Sequence, residues 1–244
     1  MRVEAKKHGQ VFNYFINQGV QIMTKDMTMG SPLRMILLFS VPVLLGNIFQ
    51  QFYNMVDTII VGQYLGEDAL AAVGSTGCLM FLVLGFANGI AQGFGVMVSH
   101  AFGAKDFKLL KHYVALSLIL TAIVSLLLTI PTVAASRQFL ILMKTPDNIL
   151  GLADSYIKVI FAGILLTMSY NVAAGILRGI GDSKTPLYFL VFSSVLNIIL
   201  DIVFIVPMHM GVAGAAWATI LSQFLSAVFS TVVRLRNFPI LHLR

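Results

Sequence analysis

The stretch PVLLGNIFQQFYNMVDTIIVG, residues 42–62, decides the fold. It contains a single acid and no Lys or Arg, and it is about as long as the 20 or so apolar residues that cross a bilayer. With about 100° between successive helical residues, its polar side chains fall within an arc of about 120°. These side chains are Asn47, Gln50, Gln51, Asn54 and Asp57. Because a polar stripe that faces lipid would be costly, we expect all five to line a water-accessible cavity.

Five more apolar segments follow the one that contains this stretch. The six segments span about residues 35–60, 69–98, 112–136, 149–177, 186–207 and 212–233. Helices are predicted for all of them, because six open strands would leave backbone groups without hydrogen bonds in lipid. The sequence therefore predicts an all-α integral membrane protein, a six-transmembrane-helix bundle. Residues 34–236 form this bundle, between a cytoplasmic N-terminal segment, residues 1–33, and a cytoplasmic tail, residues 237–244.

Composition and charge also indicate a membrane protein. Of the 244 residues, 58% are apolar and 11% are charged, against about 25% charged residues in soluble domains. The mean hydropathy is +0.89. With six spans, all of the 16 Lys and Arg residues except Arg137, Lys144 and Lys158 fall on the same side of the membrane as the N-terminus. The positive-inside rule then places both termini in the cytoplasm of a multi-pass cell-membrane protein. The net charge of +6 therefore points to a lipid bilayer as the partner, and not to nucleic acid.

Two helix-packing features can be predicted from small residues and proline. Gly85, Gly89 and Gly93 recur at four-residue spacing in the second segment, and Gly211 and Ala215 do so in the sixth. Such spacing predicts that neighbouring helices approach closely at these positions. Pro42 removes a backbone hydrogen bond and predicts a kink in the first segment.

Asp57 and Asp201 are the acids that the sequence places deep within apolar segments. Intramembrane acids usually face the bundle interior and serve a function. Other polar residues share a helix face or adjoin along the chain. They are Asn197 with Asp201, Asn88 with Gln92, Tyr170 with Asn171, and Thr219 with Gln223. We expect these residues to face the same interior as the stripe of the first segment.

Two kinds of chemistry are open to such a site. A carboxyl group removed from water can exchange a proton, whereas carboxylate and amide oxygens at Asp57, Asn197 and Asp201 could instead hold Na⁺, a hard cation. H⁺ or Na⁺ is therefore the expected coupling ion, with no other cofactor or metal. No His-Glu-x-x-His motif, P-loop, paired Asp-rich motif or Cys-His metal spacing occurs in the sequence. We therefore expect no enzymatic activity.

Several of these motifs resemble those of the multidrug and toxin extrusion (MATE) family. Residues 42–62 resemble its first helix, and Leu177-Arg-Gly-Ile-Gly-Asp-Ser-Lys-Thr-Pro186 resembles its loop between helices four and five. Residues 197–201 and 211–216 resemble its fifth and sixth helices. The likeness runs from about residue 24 to about residue 235 and covers the amino-terminal six-helix lobe.

The resemblance implies secondary active export of cationic or amphipathic compounds, drugs included, by antiport with H⁺ or Na⁺. It also implies a twelve-helix protein with two lobes around a central cavity. By position, the residues that bind the coupling cation would be Asp57, Asn197, Asp201 and Thr219, with Asn171 a looser match. The remaining polar residues named above would line the cavity.

One departure from the family pattern concerns length. The chain stops at Arg244, just past its sixth segment, and no second set of the motifs occurs. We therefore expect a truncated half, which lacks its second six-helix lobe or pairs with a second copy of itself. The alternatives are a lipid-linked oligosaccharide flippase of the same superfamily and an inactive membrane fragment. Such flippases carry cationic residues in their cavity, and no segment here has a central Arg or Lys.

Overall fold

The computed structural model describes residues 32–237, which form eight α-helices and no strand within that range. The helices are α1 (Pro32–Leu65), α2 (Glu67–Gly103), α3 (Phe107–Ala134), α4 (Ser136–Leu142), α5 (Asp147–Ala162), α6 (Ile164–Gly179), α7 (Lys184–Ile205) and α8 (Gly211–Asn237). The all-α prediction is confirmed. Residues 1–31 of the predicted N-terminal segment and residues 238–244 of the predicted tail lie outside the described residues.

Five of the helices are long and apolar enough to cross a membrane, and the α5–α6 pair makes a sixth span if it is counted as one. The fourth predicted segment was expected to be a single helix, but it breaks at Gly163 with a bend of 49°. A β-carbon on Gly163 would overlap the side chain of Ile220 on α8. The Thr129 hydroxyl donates a hydrogen bond of 3.2 Å to the Phe161 carbonyl oxygen just before the break. Close packing of α8 and this side-chain hydrogen bond therefore accompany the bend.

The third segment also ends differently from its prediction of residue 136. Its helix α3 ends at Ala134, and a separate short helix, α4, begins at Ser136. The Ser136 hydroxyl donates a hydrogen bond of 2.6 Å to the Asp154 carboxylate on α5. Because this bond holds the start of α4 against α5, the chain turns at residue 135 instead of continuing along α3.

The close approaches between helices occur at other glycines than the predicted ones. Within the described residues, β-carbons on Gly85, Gly89 or Gly93 would have no heavy atom within 4 Å. A β-carbon on Gly95 would instead lie 3.1 Å from the Gly175 carbonyl oxygen, on the face of α2 that packs against α6. Four-residue spacing was therefore present, but the predicted glycines lie on a different face of α2.

Helix α1 runs through Pro42 without a break, and most of its surface faces outward. Leu44 and Phe52 are exposed, whereas Asp57 and the neighbouring Ile60 and Val61 are buried. One buried apolar cluster joins the end of α1 to α2, α5, α6, α7 and α8, and a second joins α2, α3 and α6. The bundle is therefore closed around the second half of α1 and open along the first half.

Candidate functional site

Two carboxyl groups meet inside the bundle, where α1 packs against α7. Asp57 is buried on α1 and Asp201 is fully buried on α7, with a relative exposure of 0%. The two carboxyl groups lie close enough to interact electrostatically. Two carboxylates in such a place repel each other when both are ionised. Neither oxygen of Asp201 receives a hydrogen bond from any donor among the described residues.

Asn197 and Thr219, two of the residues named from the sequence, lie next to these carboxyl groups on α7 and α8. Asn197 lies one helical turn before Asp201 on α7 and is 1% exposed. Its amide nitrogen donates to the Thr219 hydroxyl of α8 over a long 3.5 Å, and that hydroxyl donates to the Ala215 carbonyl oxygen at 3.1 Å. The site therefore draws on three helices: α1, α7 and α8.

The unpartnered atoms of this site are all oxygens. Within residues 32–237, the buried side-chain polar atoms without a hydrogen-bond partner are Asp57 Oδ1, Asn197 Oδ1, Asp201 Oδ1, Asp201 Oδ2 and Gln223 Oε1. Each lone acceptor buried without a donor costs about 1–3 kcal/mol, and more when it is charged. A cation would satisfy several of them at once. We define these four residues as the acceptor cluster.

Two tyrosines belong to this site although sequence reasoning missed them. Tyr53 on α1 interacts with Asp57, Asp201 and the Gln223 side chain. Tyr156 on α5 is 4% exposed and lies close to the same two carboxyl groups. The four-residue step from Tyr53 to Asp57 could have revealed the first tyrosine. No local pattern indicates Tyr156, because its partners are far away in the sequence.

A cavity lies beside this site, between the first half of α1, the end of α6 and the start of α7. Its volume is about 500 Å³, counting the part that is open to the outside. Its polar lining residues are Asn47, Gln50, Tyr170, Asn171, Arg178 and Ser183. Asn171 is held there because its amide nitrogen donates to the Asn88 side-chain oxygen at 2.8 Å and to the Thr167 carbonyl oxygen at 3.0 Å. The structure therefore brings Asn171 to the cavity and pairs it with Asn88.

The polar stripe of α1 is divided among the cavity, the acceptor cluster and the outer face of the helix, and the lining of one cavity by all five residues stays a prediction. Asn47 and Gln50 border the cavity, and Asp57 belongs to the acceptor cluster. Gln51 and Asn54 lie on the exposed surface, where the Asn54 amide donates to the Gln51 oxygen at 3.3 Å. The arc of about 120° is wide enough for the two edges of the stripe to meet different neighbours. Gln92 is likewise exposed, one turn beyond Asn88.

The two helices of the fourth segment contain the charged residues Asp154, Lys158 and Arg178. Asp154 lies within the segment's predicted bounds and accepts a hydrogen bond of 2.6 Å from Lys158, four residues later on α5. This local ion pair explains how the two charges are accommodated there. Arg178 lies in the last turn of α6 and borders the cavity. Its position at a helix end made it look like a loop residue.

The chemistry available to the acceptor cluster is cation binding. No group of three or more His, Cys, Asp or Glu side chains arranged for a metal ion occurs in the described part of the chain. The cluster provides carboxylate and amide oxygens, which suit a proton or a hard monovalent cation and do not suit a soft transition metal. Asp57, Asn197 and Asp201 are the residues that could hold Na⁺, and Asp57 and Asp201 those that could hold a proton.

Comparison with known proteins gives concordant matches. The MatE family model matches residues 42–203. The Probable multidrug resistance protein YpnP of Bacillus subtilis is 36% identical over 204 residues, which cover 84% of this chain and 46% of that protein. A crystal structure of MATE in the bent conformation matches with a TM-score of 0.77 at 33% identity, over 87% of this chain and 46% of that one. A crystal structure of MATE in the straight conformation matches with a TM-score of 0.80 at 31% identity, over 93% of this chain and 49% of that one.

All of these matches cover only part of the relative's own length. The chain spans about half the length of the relatives that it matches. The similarity therefore concerns one half of those proteins.

Proposed function

Since this chain belongs to the MatE family of multi-pass membrane transporters, we propose that it acts in multidrug efflux as one six-helix lobe of an antiporter. The exported compounds are cationic or amphipathic, and the coupling ion is H⁺ or Na⁺. The observation that carries this proposal is the acceptor cluster, whose buried oxygens have no donor among the described residues. Transport of this kind requires no covalent step, so the proposal includes no enzymatic reaction.

The proposed role of the acceptor cluster follows from its charge. When Asp57 and Asp201 are both ionised, two negative charges repel each other in a medium of low dielectric constant. A bound H⁺ or Na⁺ removes one of these charges. The stability of the packing between α1 and α7 therefore depends on whether a cation is bound. A cation-driven conformational change needs this dependence. Thr219 holds the Asn197 amide next to the carboxylates, and Tyr53 and Tyr156 lie close to both carboxyl groups.

A second six-helix lobe is part of the proposal. Substrate sites of such transporters lie between two structural repeats, and the chain covers one of them. Gln51 and Asn54 are exposed on α1 beside the large apolar residues Ile48 and Phe52. We propose that the outer face of α1 borders the central cavity and that a second lobe, either a separate lobe or a second copy of this chain, lies across it. Both termini are proposed to lie in the cytoplasm and the protein in the cell membrane.

The flippase alternative is weaker on one structural point. The acceptor cluster in the bundle interior contains carboxylates and no cation. The charge of the interior thus favours a cationic partner over an anionic lipid-linked sugar.

Ethidium efflux tests the proposal. The chain is expressed in cells that lack their own exporters, and efflux is followed after an H⁺ gradient or a Na⁺ gradient is imposed. We expect efflux that requires one of the two gradients. Efflux that is independent of both gradients would contradict antiport by this chain. No efflux while the protein is present in the membrane would contradict export by the chain alone or paired with a second copy of itself, and would require a separate second lobe.

Asn197→Leu is expected to separate the two coupling ions. The Asn197 oxygen is a cation ligand without a donor, so its loss removes a ligand for Na⁺ while both carboxyl groups remain available to a proton. Under Na⁺ coupling, the rise in thermal stability that Na⁺ gives to the purified wild type disappears in the variant. Under H⁺ coupling, Na⁺ has no effect on either protein. A Na⁺-dependent rise that the variant retains in full would show that Na⁺ binds elsewhere.

A further inference from the structure

The cavity between α1, α6 and α7 is distinct from the acceptor cluster. It lies at the end of the bundle that contains the α6–α7 turn, whereas Asp57 lies seven residues beyond Gln50 on α1. Seven helical residues correspond to about 10 Å along the axis. The cavity thus has its own lining, and the export function proposed above assigns no ligand to it.

Arg178 is the charged group of this cavity. Its side chain is half-buried and forms no ion pair and no hydrogen bond with the described residues. The nearest acid along the chain, Asp182, is buried and accepts a hydrogen bond of 3.0 Å from the Thr185 backbone, at the start of α7. A guanidinium at a helix C-terminus is favoured by the helix dipole. Arg178 therefore presents a positive charge with hydrogen-bond donors to the cavity.

The rest of the lining indicates the kind of anion. Asn47, Gln50 and Ser183 border the cavity and make no side-chain hydrogen bond with the described residues, and no acid borders it. These neutral donors suit an oxyanion, which accepts several hydrogen bonds. The rest of the lining is mostly apolar and includes Pro42, Leu187 and Leu190. One end of a suitable ligand is therefore anionic, and the part next to it is apolar.

We propose that this cavity binds an amphipathic anion, with its phosphate or carboxylate group on Arg178 and its apolar part against Pro42, Leu187 and Leu190. The basic residue Lys105 of the α2–α3 connection lies at the same end of the bundle. Basic groups at a membrane surface attract anionic lipids, so a phospholipid of the adjacent leaflet is one source of this chemistry. A single-chain amphiphile dissolved in the cell is the other source.

Native mass spectrometry of the purified protein in dodecylmaltoside tests the proposal. The protein is mixed with equal amounts of phosphatidylglycerol and phosphatidylcholine with the same acyl chains, and the bound lipids are counted. We expect the wild type to prefer phosphatidylglycerol. Arg178→Gln is expected to lower its affinity about tenfold, since a charged hydrogen-bond partner is lost. Arg178→Lys keeps the charge without the planar fork and is expected to lie between the two.

Two further variants provide a charge control outside the cavity and a second test within it. Lys108→Gln removes a charge from the same end of the bundle outside the cavity, and we expect it to bind as the wild type does. Gln50→Leu removes a neutral donor and is expected to lower the affinity about threefold. Gln50→Leu also provides the test if Arg178→Gln does not fold, as judged by its circular dichroism.

The source of the anion is decided by competition. Displacement of phosphatidylglycerol by dodecyl phosphate, dependent on Arg178, supports the site with either source. Binding of dodecyl phosphate without binding of phosphatidylglycerol supports the soluble source. The proposal is overturned if Arg178→Gln binds phosphatidylglycerol as tightly as the wild type, or if Lys108→Gln loses as much affinity as Arg178→Gln. Equal displacement by inorganic phosphate would overturn the amphipathic part of the proposal.

Discussion

Replacement of Asp201 by asparagine is expected to abolish ethidium efflux without lowering the stability of the protein. Asparagine keeps the shape of the side chain, but it removes a charge whose two oxygens have no hydrogen-bond donor among the described residues. Without that charge, the acceptor cluster no longer binds a cation tightly enough to couple its movement to export. Efflux is predicted to fall to the level of cells without the protein.

The stability of the same variant is expected to change in the opposite direction. The asparagine amide can donate to the Asp57 oxygen that lacks a partner. A hydrogen bond of this kind stabilises by about 1 kcal/mol or somewhat more, because the acceptor is charged. Thermal unfolding in detergent, measured for both proteins at the same pH, should show an equal or higher midpoint for Asp201→Asn. Lost efflux with retained stability distinguishes a functional role of Asp201 from a structural one.

Asp147→Asn is the matched control, because Asp147 is an exposed acid in the first turn of α5, outside the acceptor cluster. It should leave efflux unchanged. Full efflux by Asp201→Asn, or an equal loss in both variants, would show that Asp201 is not the site of coupling.

Gly179→Ala is expected to cause the largest loss of stability by a single methyl group. A β-carbon at this position would lie 2.8 Å from the Gly95 carbonyl oxygen and 3.3 Å from the Ser99 backbone nitrogen. Both atoms belong to the backbone of α2, so no side-chain rotation can relieve the overlap, and α2 and α6 must move apart. Overpacking of this kind costs about 1–3 kcal/mol, which should appear as a lower midpoint of thermal unfolding in detergent.

Gly93→Ala provides the matched comparison on α2. A β-carbon at Gly93 would have no heavy atom of the described residues within 4 Å, and alanine favours a helix over glycine by up to about 1 kcal/mol. The two substitutions are therefore predicted to shift the midpoint in opposite directions. Equal shifts would contradict the packing of α2 against α6.

The pairing of Asp57 with Asp201 could be predicted because each acid lies in an apolar segment, where charge must find a partner in the interior. The periodicity of α1 likewise identified which of its residues share a face. Periodicity does not reveal what that face meets, so it does not separate Asn47 and Gln50 at the cavity from Gln51 and Asn54 on the outer face of α1. Tyr156 and the break at Gly163 depend on contacts with other helices, which a local pattern does not encode.

The predicted glycine contacts failed for a related reason. Spacing of four residues places small side chains on one face, but α2 carries small residues on more than one face, including Gly95 as well as Gly93. Only the packing of α6 determines which of them is close to a neighbour. Arg178 shows the same limit. Its place at a helix end is typical of a charge next to a loop, whereas its contact with the cavity depends on the packing of α1 and α7.

Cation binding by the purified protein tests the central claim most directly. Proton uptake is measured in weak buffer as the pH is stepped from alkaline to acid, and binding of radioactive Na⁺ is measured at fixed pH. Both are compared between the wild type and the double variant Asp57→Asn/Asp201→Asn. We predict that the wild type binds one cation, H⁺ or Na⁺, that the variant does not bind. Identical proton uptake and identical Na⁺ binding by the two proteins would contradict a cation site at this carboxylate pair.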